Sequence, residues 1–244
     1  HISDVHLRNG KPCQDYAFSG KKGEAAFAIV SDGCSMGGHT DMGSRVMAFS
    51  TAAVLKKYIT VQELMRPAET VRSINAGRRV FVDNTRNSLN LEWKDLLATC
   101  AYACMTLCGG FVYLQGDGVI ARVYNNGNMI ASSFVWAKNT PFYPVYDMED
   151  NCAAFIAEHG NDLQATVLME HRAYFNPEQG WATGTVSHTL EEGIAGITLS
   201  ISLEEMEKLA FVALFSDGVM QVTGQSWTDV IANLLAFKSK QGEF

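Results

Sequence analysis

The stretch from residue 96 to residue 134 constrains the fold most, because it holds four apolar segments separated by very short turns. The predicted strands are Leu97 to Leu107, Phe111 to Gln115, Val119 to Tyr124 and Asn128 to Phe134. The turns between them are Gly109-Gly110, Gly116-Asp117-Gly118 and Asn125-Asn126-Gly127, the last being a strong hairpin signal. Turns this short leave no room for crossover helices, so the sequence predicts an antiparallel meander and not a parallel sheet.

The same stretch also has to be tested as a membrane span. Leu96 to Gly116 carries no charged residue, and a segment of this length is long enough to cross a bilayer. However, Gly109-Gly110 lies in its middle, and Thr99, Thr106 and Gln115 make it more polar. Two buried strands joined at the glycines explain the stretch better than a spanning helix.

The remaining segments add strands and helices on either side of this region. The predicted elements are a strand from Ala25 to Val30, a helix capped by Asp41 and ending near Tyr58, a helix opened by Pro67 and ending before Leu91, a strand from Leu209 to Phe215, and a last helix capped by Ser226 or Thr228. Arg78-Arg79 is interpreted as part of a solvated helix face. The stretch 141–193 shows no clear period and receives no assignment.

Composition indicates an ordinary globular chain. Hydrophobic residues make up 47% and charged residues 18%, and without a linker-like segment we expect one domain over residues 1–244, trimmed at both ends. The net charge of −7 argues against nucleic acid and an anionic membrane as partners. Six cysteines without a Cys-x-x-Cys pair exclude a disulfide scaffold and a typical zinc site. With no signal peptide visible, we expect a reduced, cytoplasmic protein.

Two strongly apolar strands each end in the same tripeptide, Ser31-Asp32-Gly33 and Ser216-Asp217-Gly218. A buried strand is rigid and fixes the position of a carboxylate at its end. If the two strands lie side by side, Asp32 and Asp217 face each other and require a divalent cation, and oxygen ligands favour Mg²⁺ or Mn²⁺ over zinc. Taken alone, each Asp-Gly pair is better explained as a common turn.

The order of the short motifs is more informative than any one of them. The motifs are Pro12-Cys13-Gln14-Asp15, Ser31-Asp32-Gly33 followed by Gly37-Gly38-His39, a helix carrying Gly43-Ser44-Arg45, Gly116-Asp117-Gly118, and Phe215-Ser216-Asp217-Gly218-Val219. This set resembles the metal-dependent protein phosphatases of the 2C type, the PPM family, particularly their prokaryotic-type branch with a Pro-Cys-Gln-Asp motif. The resemblance extends from about His6 to Leu235.

The resemblance implies an α+β fold, a four-layer αββα sandwich of two antiparallel sheets flanked by helices, with a two-metal site at one end. By position, Asp32 resembles the carboxylate that bridges both Mn²⁺ or Mg²⁺ ions, and the Gly33 carbonyl resembles a ligand of one of them. Asp217 matches the ligand of the second metal, and Asp15 matches an acid that acts mainly through metal-bound water. Asp117 matches a residue that helps to hold a third, weaker metal.

The activity implied by the resemblance is serine/threonine phosphoprotein dephosphorylation, in which metal-activated water attacks phosphorus in line. Asp15, Asp32 and Asp217 are then the catalytic residues. The phosphate-binding Arg of the family has no clean match, so Arg8, His6 and Lys11 are the candidates, in that order. The implied partners are a phosphorylated protein substrate and a cognate Ser/Thr kinase.

Three departures from the family pattern leave two alternatives open. Gln14 stands where the family has Glu, Cys34 stands where some members have a proton-donating His, and the last metal-ligand Asp is absent, so that it is expected beyond Phe244. One alternative is a catalytically weak or inactive 2C-like module that binds a partner protein or a phosphopeptide and regulates it. The other is a hydrolase of small phosphate esters.

Overall fold

The first of two antiparallel sheets carries the strands from the start of the chain. The computed structural model describes residues 8, 10, 12–60, 66–148 and 152–241. The strands of the first sheet are β1 (Asp15–Lys22), β2 (Ala25–Asp32), β3 (Cys100–Thr106), β4 (Gly109–Gln115) and β9 (Ile197–Ile201). They lie in the order β1-β2-β3-β4-β9, and each pairs with its neighbour in the antiparallel sense.

The second sheet has the strand order β10-β5-β6-β7-β8 and is also antiparallel throughout. Its strands are β5 (Gly118–Tyr124), β6 (Met129–Trp136), β7 (Thr166–Asn176), β8 (Gly180–Thr189) and β10 (Leu209–Phe215). The helices are α1 (Thr40–Tyr58), α2 (Pro67–Leu89), α3 (Ala153–His159), α4 (Leu190–Ala195), α5 (Leu203–Lys208) and α6 (Trp227–Gln241). Single 3₁₀ turns occupy Trp93–Leu96, Ala137–Asn139, Pro144–Asp147 and Asp217–Met220.

Three hydrophobic cores show how the layers are stacked. Met47 of α1 and Ile74 of α2 pack with Ile29 against the outer face of the first sheet. Val112 of β4 belongs to the core between the two sheets, and Ile231 of α6 belongs to a core on the outer face of the second sheet. Each sheet therefore buries both faces, which confirms the predicted four-layer αββα sandwich.

The predicted meander is wrong at one point, because β4 and β5 belong to different sheets. The β3–β4 and β5–β6 hairpins are present, but Gly116-Asp117-Gly118 carries the chain from one sheet to the other. Gly116 and Gly118 have φ angles of +108° and +139°, which side chains rarely tolerate. The glycines thus allow the chain to turn abruptly from the first sheet into the second.

The unassigned stretch 141–193 contains β7 and β8, the longest hairpin of the second sheet. Residues 182–185 of β8 are exposed, so this edge strand lacks the apolar run that marks a buried strand. That exposure explains why the stretch shows no clear period in the sequence.

Several helix assignments can be compared with the structure directly. Pro67 does open α2, but α1 begins at Thr40 with His39 at its N-cap, so Asp41 lies in the first turn and is not the cap. Arg78 is only 4% exposed, whereas Arg79 is exposed, so the interpretation of both as a solvated face was wrong for Arg78.

Within the described ranges, no helix is both long enough and apolar enough to span a membrane.

Candidate metal centre

The first pair of acidic side chains comes from β1 and β2. Asp15 lies directly opposite Asp32 in the antiparallel register, at the last paired position of the two strands. The Gly33 amide donates to the Gln14 carbonyl oxygen at 3.1 Å, so the pairing extends one residue beyond. Cross-strand neighbours point to the same face, so these two carboxylates share one side of the first sheet.

The second pair comes from β5 and β10. Their antiparallel register ends with Val119 opposite Phe215. Asp117 comes two residues before Val119 and Asp217 two residues after Phe215, so the two aspartates lie against each other. Asp217 begins a short 3₁₀ turn, and the Gln221 Nε2 atom donates to its Oδ2 atom at 2.7 Å. Each sheet therefore contributes two aspartates at the same end of the sandwich.

The interaction of the Asp217 carboxyl group with that of Asp32, which raises the pKa of Asp32, joins the two pairs. The sequence argument assumed that their strands lie side by side, and this is wrong, since β2 and β10 belong to different sheets. The two carboxyl groups meet across the interior of the sandwich instead. The expected encounter of the two Ser-Asp-Gly motifs thus occurs by sheet stacking and not by strand pairing.

The electrostatics of the cluster are dominated by burial and by mutual repulsion. Burial, the Asp15 charge, and the hydrogen bond and charge of Asp217 raise the pKa of Asp32 to about 10. Burial and the Asp217 charge raise the pKa of Asp117 to about 7. Such shifts are typical of carboxylates that share a site without a compensating cation. Within the described residues, none of the four aspartates forms a salt bridge.

Thr99 fixes the backbone that carries Asp32, and the sequence argument did not identify it. The Thr99 Oγ1 atom accepts from the Asp32 amide at 3.0 Å, and the Thr99 amide donates to the Asp32 carbonyl oxygen at 2.8 Å. The buried Ser31 hydroxyl donates to the Thr99 carbonyl oxygen at 2.6 Å. A polar residue within an otherwise apolar stretch was the only sequence signal for this role.

Gly33 and Gln14 lie where the first sheet meets the start of α1. A Cβ atom on Gly33 would collide with the Thr40 carbonyl oxygen, so this position requires glycine. The buried Gln14 side chain donates from Nε2 to the Thr40 hydroxyl at 2.6 Å. Its Oε1 atom is buried and has no hydrogen-bond partner among the described residues. The uncharged Gln14 side chain is therefore buried beside the start of α1.

Two aromatic residues support the Gly116-Asp117-Gly118 turn. The Trp136 Nε1 atom donates to the buried Gly116 carbonyl oxygen at 2.8 Å. Burial, the neighbouring Cys34 thiol and the Asp117 charge all raise the pKa of the Tyr143 hydroxyl. Tyr143 therefore stays protonated next to the cluster. Tyr143 lies in the stretch 141–193, for which no element was predicted from the sequence.

The loop that follows Gly33 is held by Asp95. The Asp95 Oδ1 atom accepts from the His39 amide at 2.7 Å, and the Gly38 amide donates to the Lys94 carbonyl oxygen at 3.1 Å. Burial opposes ionisation of Asp95, but the His39 and Glu92 amides hold its pKa below the usual value. The negatively charged Asp95 side chain therefore fixes the conformation of the loop next to the aspartates.

Of the three candidate phosphate-binding residues, only Arg8 belongs to the described part of the chain. Arg8 is exposed, and His6 and Lys11 lie outside the described residues. Of the residues that the sequence argument placed at the metal site, Asp15, Asp32, Gly33, Asp117 and Asp217 all lie at one end of the sandwich.

The donor set suits a hard divalent cation. It offers carboxylate oxygens from two sheets, and oxygen ligands of this kind favour Mg²⁺ or Mn²⁺. The raised pKa values report an excess of negative charge that a cation would offset. Among the described residues, no three His, Cys, Asp or Glu side chains are already grouped closely enough to form a ligand set.

Similarity to known proteins shows to which family the chain belongs. No curated protein matches the chain. A solved Stage II Sporulation E family protein from Thermanaerovibrio acidaminovorans is 15% identical, with a TM-score of 0.26, and the match covers 52% of this chain and 51% of that one. The chain thus spans about half the length of that structure. A family model described as protein phosphatase 2C matches residues 3–243. The chain belongs to the protein phosphatase 2C family, a family of metal-dependent phosphatases.

Proposed function

We propose that this protein is a serine/threonine phosphoprotein phosphatase that uses Mn²⁺ or Mg²⁺. The observation that carries the proposal is the convergence of Asp15, Asp32, Asp117 and Asp217 from two different sheets. The neighbouring carboxyl groups and burial raise the pKa values of Asp32 and Asp117, and such a cluster destabilises the folded protein at neutral pH unless it binds something positively charged. A purely structural role does not account for such an arrangement.

Each aspartate receives a role from its place in the cluster. Asp32 and Asp217 contact each other across the sandwich, so both are assigned to the central cation position, with the Gly33 carbonyl oxygen beside them. Asp15 is exposed, which suits a contact through water, and Asp117 is assigned to a third, weaker position. Bound divalent cations would supply Lewis acidity and lower the pKa of a coordinated water.

The remaining parts of the proposal concern the substrate. Arg8, together with His6 and Lys11, is assigned to the phosphate group, because a guanidinium binds two phosphate oxygens at once. The substrate is then a phosphorylated protein and the matching kinase a Ser/Thr kinase, in the cytoplasm. The proposed catalytic residues Asp15, Asp32 and Asp217 hold the reacting groups and form no covalent bond with phosphorus.

The test is hydrolysis of a phosphothreonine peptide by the purified chain. Turnover is measured after treatment with a chelator and again after addition of Mn²⁺ or Mg²⁺. We expect turnover only with the cation. Equal turnover with and without the chelator would rule out the metal-dependent mechanism.

A second candidate is a 2C-like module that binds a phosphopeptide without hydrolysing it. It is favoured by the finding that no three acidic, His or Cys side chains among the described residues already form a ligand group. Fluorescence anisotropy with the same phosphothreonine peptide separates the two candidates. Binding without turnover at any cation concentration supports the module, whereas cation-dependent turnover supports the phosphatase.

A further inference from the structure

Three aromatic side chains form a row between β1 and α1. Tyr16 and Phe18 of β1 pack on the core beneath α1, and the Phe49 ring of α1 contacts both, with centroids 5.3 Å from Tyr16 and 5.4 Å from Phe18. Phe49 is nevertheless 48% exposed, so one side of the row faces solvent. These three residues are termed the aromatic row.

A cation lies over each end of the aromatic row. The Arg45 guanidinium carbon is 5.1 Å from the Tyr16 ring centroid, and the Lys56 Nζ atom is 5.0 Å from the Phe18 ring centroid. The ring faces attract these cations and hold them along the row. Within the described residues neither Arg45 nor Lys56 forms a salt bridge, although Asp41 lies one helical turn before Arg45.

Further lysines extend the positive charge at the Lys56 end of the row. Lys21 and Lys22 end β1, and the Lys22 Nζ atom donates to the Lys57 carbonyl oxygen at 2.8 Å, which ties the end of β1 to the end of α1. The β1–β2 turn adds a single carboxylate, Glu24. This end is therefore basic in a chain whose net charge is −7, and charge complementarity favours an acidic ligand.

The outer edge of β1 provides a track for such a ligand beside the row. β1 is the last strand on its side of the first sheet, and no strand of the described chain pairs with its outer edge. Ala17 and Ser19, on the face opposite to the row, are exposed as well. A strand edge of this kind presents its backbone N–H and C=O groups to an extended peptide.

The track leads away from the acidic cluster. Asp15 is the first residue of β1 and directly precedes Tyr16, whereas Lys21 and Lys22 are the last residues of the strand. At about 3.3 Å per residue, an extended chain covers roughly 23 Å between the two ends. A peptide with its phosphate at the cluster therefore reaches the lysines with a residue about six or seven positions away.

We propose that the aromatic row and its flanking cations bind an acidic segment of the phosphoprotein substrate. Acidic side chains of the segment contact the lysines, and an apolar side chain between them and the phosphorylated residue packs on Phe49. The proposal rests on the proposed function, because it names the substrate class for the same metal centre. Contacts made equally in the bound substrate and in the transition state lower KM and leave kcat unchanged.

The test compares phosphothreonine peptides with one phosphorylation site and with a leucine about three residues from it. In the acidic peptides, glutamates lie about six to eight residues from the phosphothreonine, on its N-terminal side in one and on its C-terminal side in the other. The neutral peptides carry glutamine at the same places. Turnover is measured with Mn²⁺, and p-nitrophenyl phosphate serves as a substrate too small to reach Phe49.

We expect one acidic peptide to have a KM about 5- to 20-fold lower than its neutral counterpart, with a similar kcat, because several exposed charge pairs contribute. The difference should disappear near 1 M salt, where charges are screened beyond about 3 Å. Replacing the leucine with alanine should raise KM for the wild type and have less effect in Phe49→Ala, which lacks the ring.

Variants of Lys56 locate the charge effect on the protein. Lys56→Gln should remove about 2- to 5-fold of the KM difference, and Lys56→Glu should remove more, because it repels the glutamates. The matched control is Lys208→Gln, at an exposed lysine that ends α5 and lies outside β1 and α1. It should leave every KM unchanged. All these variants should hydrolyse p-nitrophenyl phosphate at the wild-type rate, because none of the residues belongs to the acidic cluster.

Equal KM values for the acidic and neutral peptides, or an acidic preference that persists in Lys56→Glu, overturn the docking site and leave the phosphatase standing. Absence of turnover of every substrate contradicts the proposed function instead. Fluorescence anisotropy with the labelled peptides then decides on the docking site. Binding of an acidic peptide that is weakened in Lys56→Glu but not in Lys208→Gln supports the site, whereas equal binding of the acidic and neutral peptides overturns it.

Discussion

The Asp32 and Asp217 carboxyl groups interact with each other, and the interaction raises the pKa of Asp32, although the two residues come from different sheets and are far apart in sequence. Each follows a strongly apolar strand, β2 or β10, that is anchored in a hydrophobic core. The strands are rigid, so the two carboxyl groups are held together despite their repulsion. This contact links the fold to the proposed chemistry, and the following predictions depend on it.

Replacing either aspartate is expected to abolish most of the activity. Asp32→Asn and Asp217→Asn each remove a carboxylate from the central position, and turnover of a phosphothreonine peptide should fall on the order of 10³-fold. Asp162→Asn, at an exposed aspartate outside the cluster, is the matched control and should retain wild-type turnover. Near-normal rates in both cluster variants would contradict the assignment.

The cation-free protein should become less stable as the pH rises from about 4 to about 7. The pKa of Asp117 is raised from 3.8 to about 7 in the folded state. Between these values the folded protein keeps a proton that the unfolded chain has lost, so the free energy of unfolding falls with pH. Asn cannot ionise, and Asp117→Asn should remove this contribution.

The check is thermal unfolding in the presence of a chelator, near pH 4.5 and near pH 7.5. The gain in Tm of Asp117→Asn over the wild type should be larger at the higher pH. An equal difference at both pH values would show that the Asp117 charge does not oppose folding.

Thr99→Val tests whether the Asp32 backbone must be held in place. The substitution keeps the shape but leaves the Asp32 amide without its Oγ1 acceptor, at a cost of about 1–3 kcal/mol in the free energy of unfolding. Cation affinity should also weaken, by about 10- to 100-fold, as for other residues that support metal ligands.

The matched control is Thr106→Val, at a buried threonine at the other end of β3 that bonds to Gly109. It should lower stability by a comparable amount while cation affinity, measured by calorimetry with Mn²⁺, stays unchanged. If the two variants lose the same affinity, Thr99 has no special role at the site.

Arg78 should be important for stability although its neighbour is not. Arg78 Nη2 donates to Gln115 Oε1 at 3.1 Å, and Gln115 Nε2 in turn donates to Asp147 Oδ2 at 3.1 Å. Arg78→Ala leaves this buried chain of polar groups unsatisfied and should cost about 1–3 kcal/mol. Arg79→Ala, at the exposed neighbour, should change stability by less than about 0.5 kcal/mol in urea unfolding. Equal effects would show that burial of Arg78 does not matter.

The sequence by itself determined the strands whose pattern is local. The strand from Leu209 to Phe215 was predicted at its observed bounds, and the helix opened by Pro67 was predicted correctly, because apolar runs and proline act within a few residues. The order of the Asp-containing motifs also indicated the family that the whole-chain family match confirms.

The tertiary structure alone decided which strands share a sheet and which side chains meet. Nothing in the sequence near Gly116-Asp117-Gly118 distinguishes a hairpin from a passage between sheets, because both require a turn with glycine. The roles of Thr99, Tyr143 and the buried Arg78 depend on partners distant in sequence, and packing of the layers brings those partners together. Local patterns fix the elements, whereas burial between layers fixes the contacts of the site.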